Sequence, residues 1–111
     1  MSSLSTHVLD TMHGRPAAGM AVSLYSADGV VAAGRTDDDG RCPGLFPASL
    51  AAGAYRLEFA VAAYFRGMGV TLPEPPFLDV VAVAFGIADG GGHYHVPLLA
   101  SPFSYSTYRG S

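Results

Sequence analysis

Charge is scarce in this chain. Asp, Glu, Lys and Arg make up only 14% of its 111 residues, where ordinary soluble domains carry about a quarter. Hydrophobic residues reach 50%, a balance that excludes intrinsic disorder, which needs low hydrophobicity and high charge. So little charge also implies that part of the surface is shared with other subunits. Lysine is absent, and the six arginines are scattered. No cationic run can track a phosphate backbone, and with a net charge of −3 nucleic-acid binding is not expected. A single cysteine, Cys42, excludes an intrachain disulfide. No positive leader followed by an apolar core opens the chain, so no signal peptide is expected. The longest uncharged apolar run, residues 80–88, is far short of the roughly 20 residues of a membrane span. The expectation is a cytoplasmic protein of one domain, residues 1–111, without a membrane partner. A Gly-x-Ser-x-Gly elbow is also missing, which excludes a serine hydrolase of that type.

What is present is a series of short apolar runs separated by turn signals, the pattern of an all-β sandwich. Runs are expected at 4–11, 20–26, 30–36, 41–46, 54–60 and 77–87, with turns at His13-Gly14-Arg15-Pro16, Asp28-Gly29, Asp37-Asp-Asp-Gly40 and Asp89-Gly-Gly-Gly92. Val61, Tyr64, Phe65 and Met68 stand at i, i+3, i+4 and i+7, one face of a short helix, and Gly69 is placed to cap its end. The last nineteen residues read as two strands joined at Ser101-Pro102.

That final segment holds most of the candidate chemistry. His93 and His95 share one strand face because side chains alternate with period two. His95, Pro97 and Leu99 fall on one side, and Tyr94, Val96 and Leu98 on the side that reads as core. A His-x-His pair is a metal-ligand spacing, but no Cys or Glu nearby completes a site. In the first run His7 and Leu9 oppose Val8 and Asp10. His7 is an ordinary strand residue unless it lies near His95, in which case the pair can move protons near neutral pH. Arg41, after a glycine turn, is either a solvated turn charge or a planar fork of donors for an anionic or carbonyl-rich ligand. The Asp37-Asp-Asp-Gly40 run is a turn and not a calcium loop, since Ala48 stands where the closing acid would be needed. Gly90-Gly-Gly92 precedes a strand and so cannot cradle a phosphate at a helix N-terminus.

Four segments carry a resemblance: Leu4-Ser-Thr-His-Val-Leu-Asp-Thr11, Thr36-Asp-Asp-Asp-Gly-Arg-Cys42, His93-Tyr-His-Val-Pro-Leu-Leu99 and the terminal stretch ending in Tyr108-Arg-Gly-Ser111. Together they resemble the transthyretin-related 5-hydroxyisourate hydrolases over essentially the whole chain. The terminal Tyr-Arg-Gly-Ser is the most specific of them, separating the enzymes from the hormone-carrier branch of the fold. The resemblance implies a transthyretin-like two-sheet β-sandwich of about eight strands with one short helix, assembled as a homotetramer around a central channel. It implies ring opening of 5-hydroxyisourate with His7, Arg41, His95, Tyr108 and Ser111 as catalytic residues, and no metal or organic cofactor. His7, Arg41, Tyr108, Leu9, Pro97 and Ser106 are the expected substrate-binding residues, with Leu99 beside them on the channel face. Which histidine is the base stays open. A non-catalytic carrier of small aromatic ligands and a purely structural sandwich module are the rival expectations.

Overall fold

The computed structural model describes residues 1–110. Ser111, expected at the site, lies outside the described residues. Two sheets face each other across the core, each built for a different job. The first is all antiparallel, in the order β5-β4-β6-β7, with β4 at Ala21–Ser26, β5 at Gly29–Arg35, β6 at Gly53–Ala60 and β7 at Val80–Ile87. Strands β4 and β5 form a two-residue hairpin in which Ser26 pairs with Gly29. Gly29 takes a φ of 117° there, a conformation that side chains with a Cβ resist. Val22, Leu24, Leu57 and Phe59 alternate along β4 and β6 and are almost wholly buried. Each such apolar side chain contributes roughly 1.5–3 kcal/mol by leaving water.

The second sheet runs β10-β9-β2-β3. Its strands are β2 (Val8–Asp10), β3 (Arg15–Pro16), β9 (Leu98–Ala100) and β10 (Tyr105–Thr107). A two-stranded parallel ribbon extends it, formed by β1 (Ser2–Ser5) and β8 (Gly92–His95). The expected run 4–11 is therefore one path broken at Thr6-His7, where His7 instead bridges to Arg41. The break has a partner: Thr6 turns its hydroxyl inward to donate to the Val96 carbonyl at 2.7 Å. The closing pair expected after residue 93 is three strands, because Pro97 has no N–H to continue the ladder.

Four other expectations change. The segment 41–46 is a set of turns, since Pro43 lacks a donor and Gly44 adopts a φ of 72°. Strand β7 begins at Val80 and not at residue 77, after a loop holding three prolines. Among the described residues there are ten strands, the extra ones arising from these breaks. The helix α1 (Val61–Gly67) forms as expected, burying Val61, Ala62, Tyr64 and Phe65. Gly69 ends it with a φ of 85° and an N–H bonded to the Arg66 carbonyl at 3.0 Å, a left-handed cap. Met68, expected on the buried face, is 38% exposed.

One buried carboxylate ties α1 to β2. Asp10 is 1% exposed and accepts from the Tyr64 hydroxyl at 2.7 Å, the His13 backbone N–H at 3.0 Å and His13 Nδ1 at 2.6 Å. Burial alone would raise its pKa, but the bonds from Tyr64 and His13 outweigh it and hold the carboxyl below the ordinary carboxylate value. Burial, together with the Asp10 bond and charge, pushes the Tyr64 phenol well up, so it stays a donor. A depressed carboxyl pKa stabilises the fold above the unfolded-state value and loses that effect as pH falls through the folded value. We expect Tyr64→Phe to cost about 1–3 kcal/mol at pH 7. The deficit should shrink as Asp10 protonates, below about pH 4. Urea denaturation of both proteins across that range checks this; a deficit independent of pH would contradict it.

Candidate functional site

The site begins with a parallel register. Ser5 pairs with His95 across β1 and β8, and the backbone bonds Val96 N–H to Ser5 O and Leu98 N–H to His7 O, each 2.9 Å, carry the register past the break. Alternation then sorts the side chains. Val8, Asp10, Tyr94, Val96 and Leu98 are buried, while His7, Leu9, His95 and Leu99 are only partly so. Leu9 stands opposite Leu99, and Leu99 opposite Ser106, across three neighbouring strands. This row is the expected ligand-facing surface. Pro97 departs from it by being buried, with its carbonyl accepting from the Thr107 hydroxyl at 2.7 Å.

Arg41 reaches this surface through its turn. Asp37 Oδ1 accepts from the backbone N–H of Asp39 at 2.9 Å and of Arg41 at 3.0 Å. Asp37 N–H in turn donates to the Arg41 carbonyl at 2.7 Å. Gly40 is required between them: its φ is 76°, and a Cβ there would collide with the Val8 carbonyl oxygen. The turn thus delivers Arg41 to the bridge with His7, beside a concavity of about 250 Å³ bordered by Ser5, Thr6 and Arg41. Among the described residues the ion pairs involve His13, Arg56 and Arg66, and Arg41 takes part in none of them.

His95 feels all of these neighbours. Burial first, then the positive charge of Arg41 and the rings of His7 and His93, hold its imidazole below the ordinary value of 6.5. The Ser5 backbone acts in the opposite sense. The net result is a histidine neutral at pH 7, with a lone pair to accept a proton. Its Nδ1 lies 2.7 Å from the Ser5 hydroxyl. The same hydroxyl is 2.8 Å from His93 Nε2, and the Ser3 hydroxyl is 2.7 Å from His93 Nδ1. Three ring nitrogens of the His-x-His pair are thereby engaged by serines. Among the described residues, no three His, Cys, Asp or Glu side chains gather as a metal would need. Cys42, beside Arg41, has its thiol pushed up to about 11 by burial and then by Asp37, and so is protonated at neutral pH.

The C-terminal segment closes over His95. Gly110 N–H donates to the His95 carbonyl at 2.7 Å, and the Arg109 guanidinium lies 3.9 Å from the centroid of the Tyr94 ring, a cation–π distance. Tyr108 is 60% exposed and borders a groove of about 240 Å³ with Val83, Phe85, Tyr94 and Arg109. Neither His7 nor His95 borders that groove. The structure thus gathers His7, Arg41 and His95, sets Leu9, Leu99 and Ser106 in one row, and leaves Tyr108 at the rim.

Three contributors were not expected from sequence: Ser5, Asp37 and Gly110. All three lie inside segments that carry the family resemblance, and Gly110 stands out there as a small residue in the terminal motif. Its reason is steric. A Cβ at Gly110 would stand 2.5 Å from His95 Cδ2 and 3.2 Å from Cγ, so the chain can lie against the ring only as glycine. We expect Gly110→Ala to displace the ring or the segment and lower turnover by about a hundredfold, the cost of roughly 1 Å of misplacement, with the melting temperature nearly unchanged. Calorimetry alongside initial rates checks this; equal losses in both would mark Gly110 as structural only.

Comparison with known proteins places the chain in a family. The model of the HIUase/Transthyretin family matches residues 4–110. The 5-hydroxyisourate hydrolase of Ralstonia nicotianae is 53% identical over 117 aligned positions, covering 100% of both chains. Among solved structures, 5-hydroxyisourate hydrolase of Klebsiella pneumoniae superposes with a TM-score of 0.88 at 38% identity, covering 100% of each chain. Sea bream transthyretin in complex with thyroxine gives a TM-score of 0.85 at 37% identity, covering 96% of this chain and 93% of that one. The transthyretin-like sandwich expected from the sequence is the fold observed, and the chain belongs to the HIUase/Transthyretin family.

Proposed function

We propose that this chain hydrolyses 5-hydroxyisourate to 2-oxo-4-hydroxy-4-carboxy-5-ureidoimidazoline, a ring-opening step of purine degradation. The observation that carries the reading is the convergence of His7, Arg41 and a neutral His95 on one surface. It is supported by the hydrolase identity of relatives matched along the full chain. Water attacks a cyclic amide carbonyl poorly at neutral pH unless a base takes its proton. His95 fills that role: Ser5 holds its Nδ1, and its Nε2 lone pair can face the water. His7 orients the water or protonates the departing nitrogen. Positioned acid–base help of this kind is worth roughly 10²- to 10⁴-fold. Arg41, in none of the ion pairs among the described residues, anchors the substrate and stabilises the developing oxyanion. Leu9, Pro97 and Ser106 form the wall, and Tyr108 and Ser111 complete the site from the chain end.

The protein works as a homotetramer in the cytoplasm, as one domain across residues 1–111. Exposed Phe77, Val80, Phe103, Tyr105 and Tyr108 supply the apolar contacts that so weakly charged a surface needs. The carrier reading has one observation in its favour, the similarity to a thyroxine-bound transthyretin. A carrier gains nothing from a depressed histidine beside an arginine, so hydrolysis is preferred.

Loss of freshly made 5-hydroxyisourate, followed by ultraviolet absorbance, tests the reading. The protein should accelerate decay strongly, and His7→Ala, Arg41→Ala and His95→Ala should each lose about a hundredfold or more. Their effects should not add if they act as one unit. The acid limb of kcat/KM should fall below pH 6.5, because His95 is depressed from that value. An unaccelerated decay with tight binding of thyroxine would favour the carrier. Activity should also survive exhaustive chelation, since His93 and His95 are engaged with serines. A loss restored by zinc would overturn the metal-free mechanism.

A further inference from the structure

Four side chains form an unbroken hydrogen-bonded row from the exposed edge of the β1–β8 ribbon to the site: Ser3, His93, Ser5, His95. The contacts are 2.7 Å from Ser3 Oγ to His93 Nδ1, 2.8 Å from His93 Nε2 to Ser5 Oγ, and 2.7 Å from Ser5 Oγ to His95 Nδ1. They exist because β1 and β8 are parallel and in register: Ser3 lies opposite His93 and Ser5 opposite His95, with all four on one face. His93 is exposed, while His95 is partly buried.

We propose that Ser5 and His93 are positioning and proton-storing residues for His95, forming a relay that carries the proton taken from water out to the exposed ring and then returns it. The proposal rests on the hydrolytic reading above, with His95 as base. A serine hydroxyl has one proton, and each ring nitrogen either donates or accepts. In the resting row His95 Nδ1–H donates to Ser5 Oγ, Ser5 O–H donates to His93 Nε2, and His93 Nδ1–H donates to Ser3 Oγ. This order leaves the lone pair of His95 on Nε2, where a base needs it. When Nε2 takes a proton from the attacking water, the Nδ1 proton passes to Ser5 and the Ser5 proton passes to His93 Nε2. His95 is then neutral with its proton on Nε2, and His93 is the imidazolium. Delivery of the Nε2 proton to the departing nitrogen reverses both shifts. One water O–H bond is broken, one N–H bond is formed on the product, and the row returns to its starting state.

The direction of storage follows from the surroundings. A cation on His95 would stand beside the charge of Arg41 and the ring of His7 in a partly desolvated place. On His93 it is exposed to water. Arg109 donates to the His93 backbone carbonyl at 3.4 Å, and its charge lies over the Tyr94 ring.

The test uses the full-length protein and four variants. Ser5→Ala should lower kcat by roughly a hundredfold, the low end of positioned acid–base help, with KM nearly unchanged. Ser5→Thr, which keeps a hydroxyl, should recover most of it. His93→Gln should lose kcat in dilute buffer and regain it with added imidazole, and Ser3→Ala, which removes the acceptor for His93 Nδ1–H, should lower kcat by less than Ser5→Ala. In the resting protein, nitrogen-15 NMR should find His95 protonated on Nδ1, and Ser5→Ala should abolish that preference. Resting His95 protonated on Nε2 would overturn the relay. So would Ser5→Ala and His93→Gln enzymes within twofold of wild type in dilute buffer. If the wild-type protein leaves 5-hydroxyisourate untouched, the function reading fails, and the NMR tautomer alone decides the row.

Discussion

The parallel pairing of β1 and β2 with β8 and β9 is the constraint on which the site depends. It fixes which residues face the core and which face outward, because a one-residue slip would exchange the two sets. In the observed register Val8, Tyr94, Val96 and Leu98 are buried, so their hydrophobic burial holds the alignment. The same alignment sets Ser5 against His95 and Leu9 against Leu99. The candidate site residues are therefore held in place by the burial of their apolar neighbours. The Thr6–His7 break adds a second function to one strand edge, freeing His7 to bridge to Arg41 while Thr6 satisfies the Val96 carbonyl.

Electrostatics divides the molecule into two histidine environments. At Asp10 the carboxylate is buried and shared between Tyr64 and His13, an arrangement that stabilises charge and serves the fold. At His95 the partners are uncharged hydroxyls and nearby cations, an arrangement that destabilises charge and favours a free base. Among the described residues the ion pairs involve His13, Arg56 and Arg66, and none of them engages Arg41.

Alternation made the ladder legible in the sequence. The face carrying His95 and Leu99 and the opposite face carrying Tyr94, Val96 and Leu98 both follow from period two, as does the opposition of His7 and Leu9 to Val8 and Asp10. The helix was equally legible, since Val61, Tyr64 and Phe65 announce it by spacing. Arg41 and the terminal motif drew attention through residue chemistry and family resemblance. Ser5 was not legible, because its importance arises only when a strand ninety residues away brings two imidazoles to one hydroxyl. The segment 41–46 read as a short strand or extended segment from its apolar content, yet Pro43 and the left-handed Gly44 make it a set of turns. Tyr108 carried the right chemistry for the site, but it borders a groove with Val83 and Phe85.

The pairing of Ser5 with His95 joins the two extremities of the polypeptide. During synthesis the first strand leaves the ribosome long before its partner exists, while the antiparallel sheet of β4 to β7 can already assemble from neighbouring segments. Contacts of such large sequence separation form late, after the entropy of closing the intervening loop has been met. The site is thus the last part of the molecule to come into being. A chain interrupted in translation before β8 would lack His95 and the partner for β1, and would hold no part-formed version of the proton-handling row.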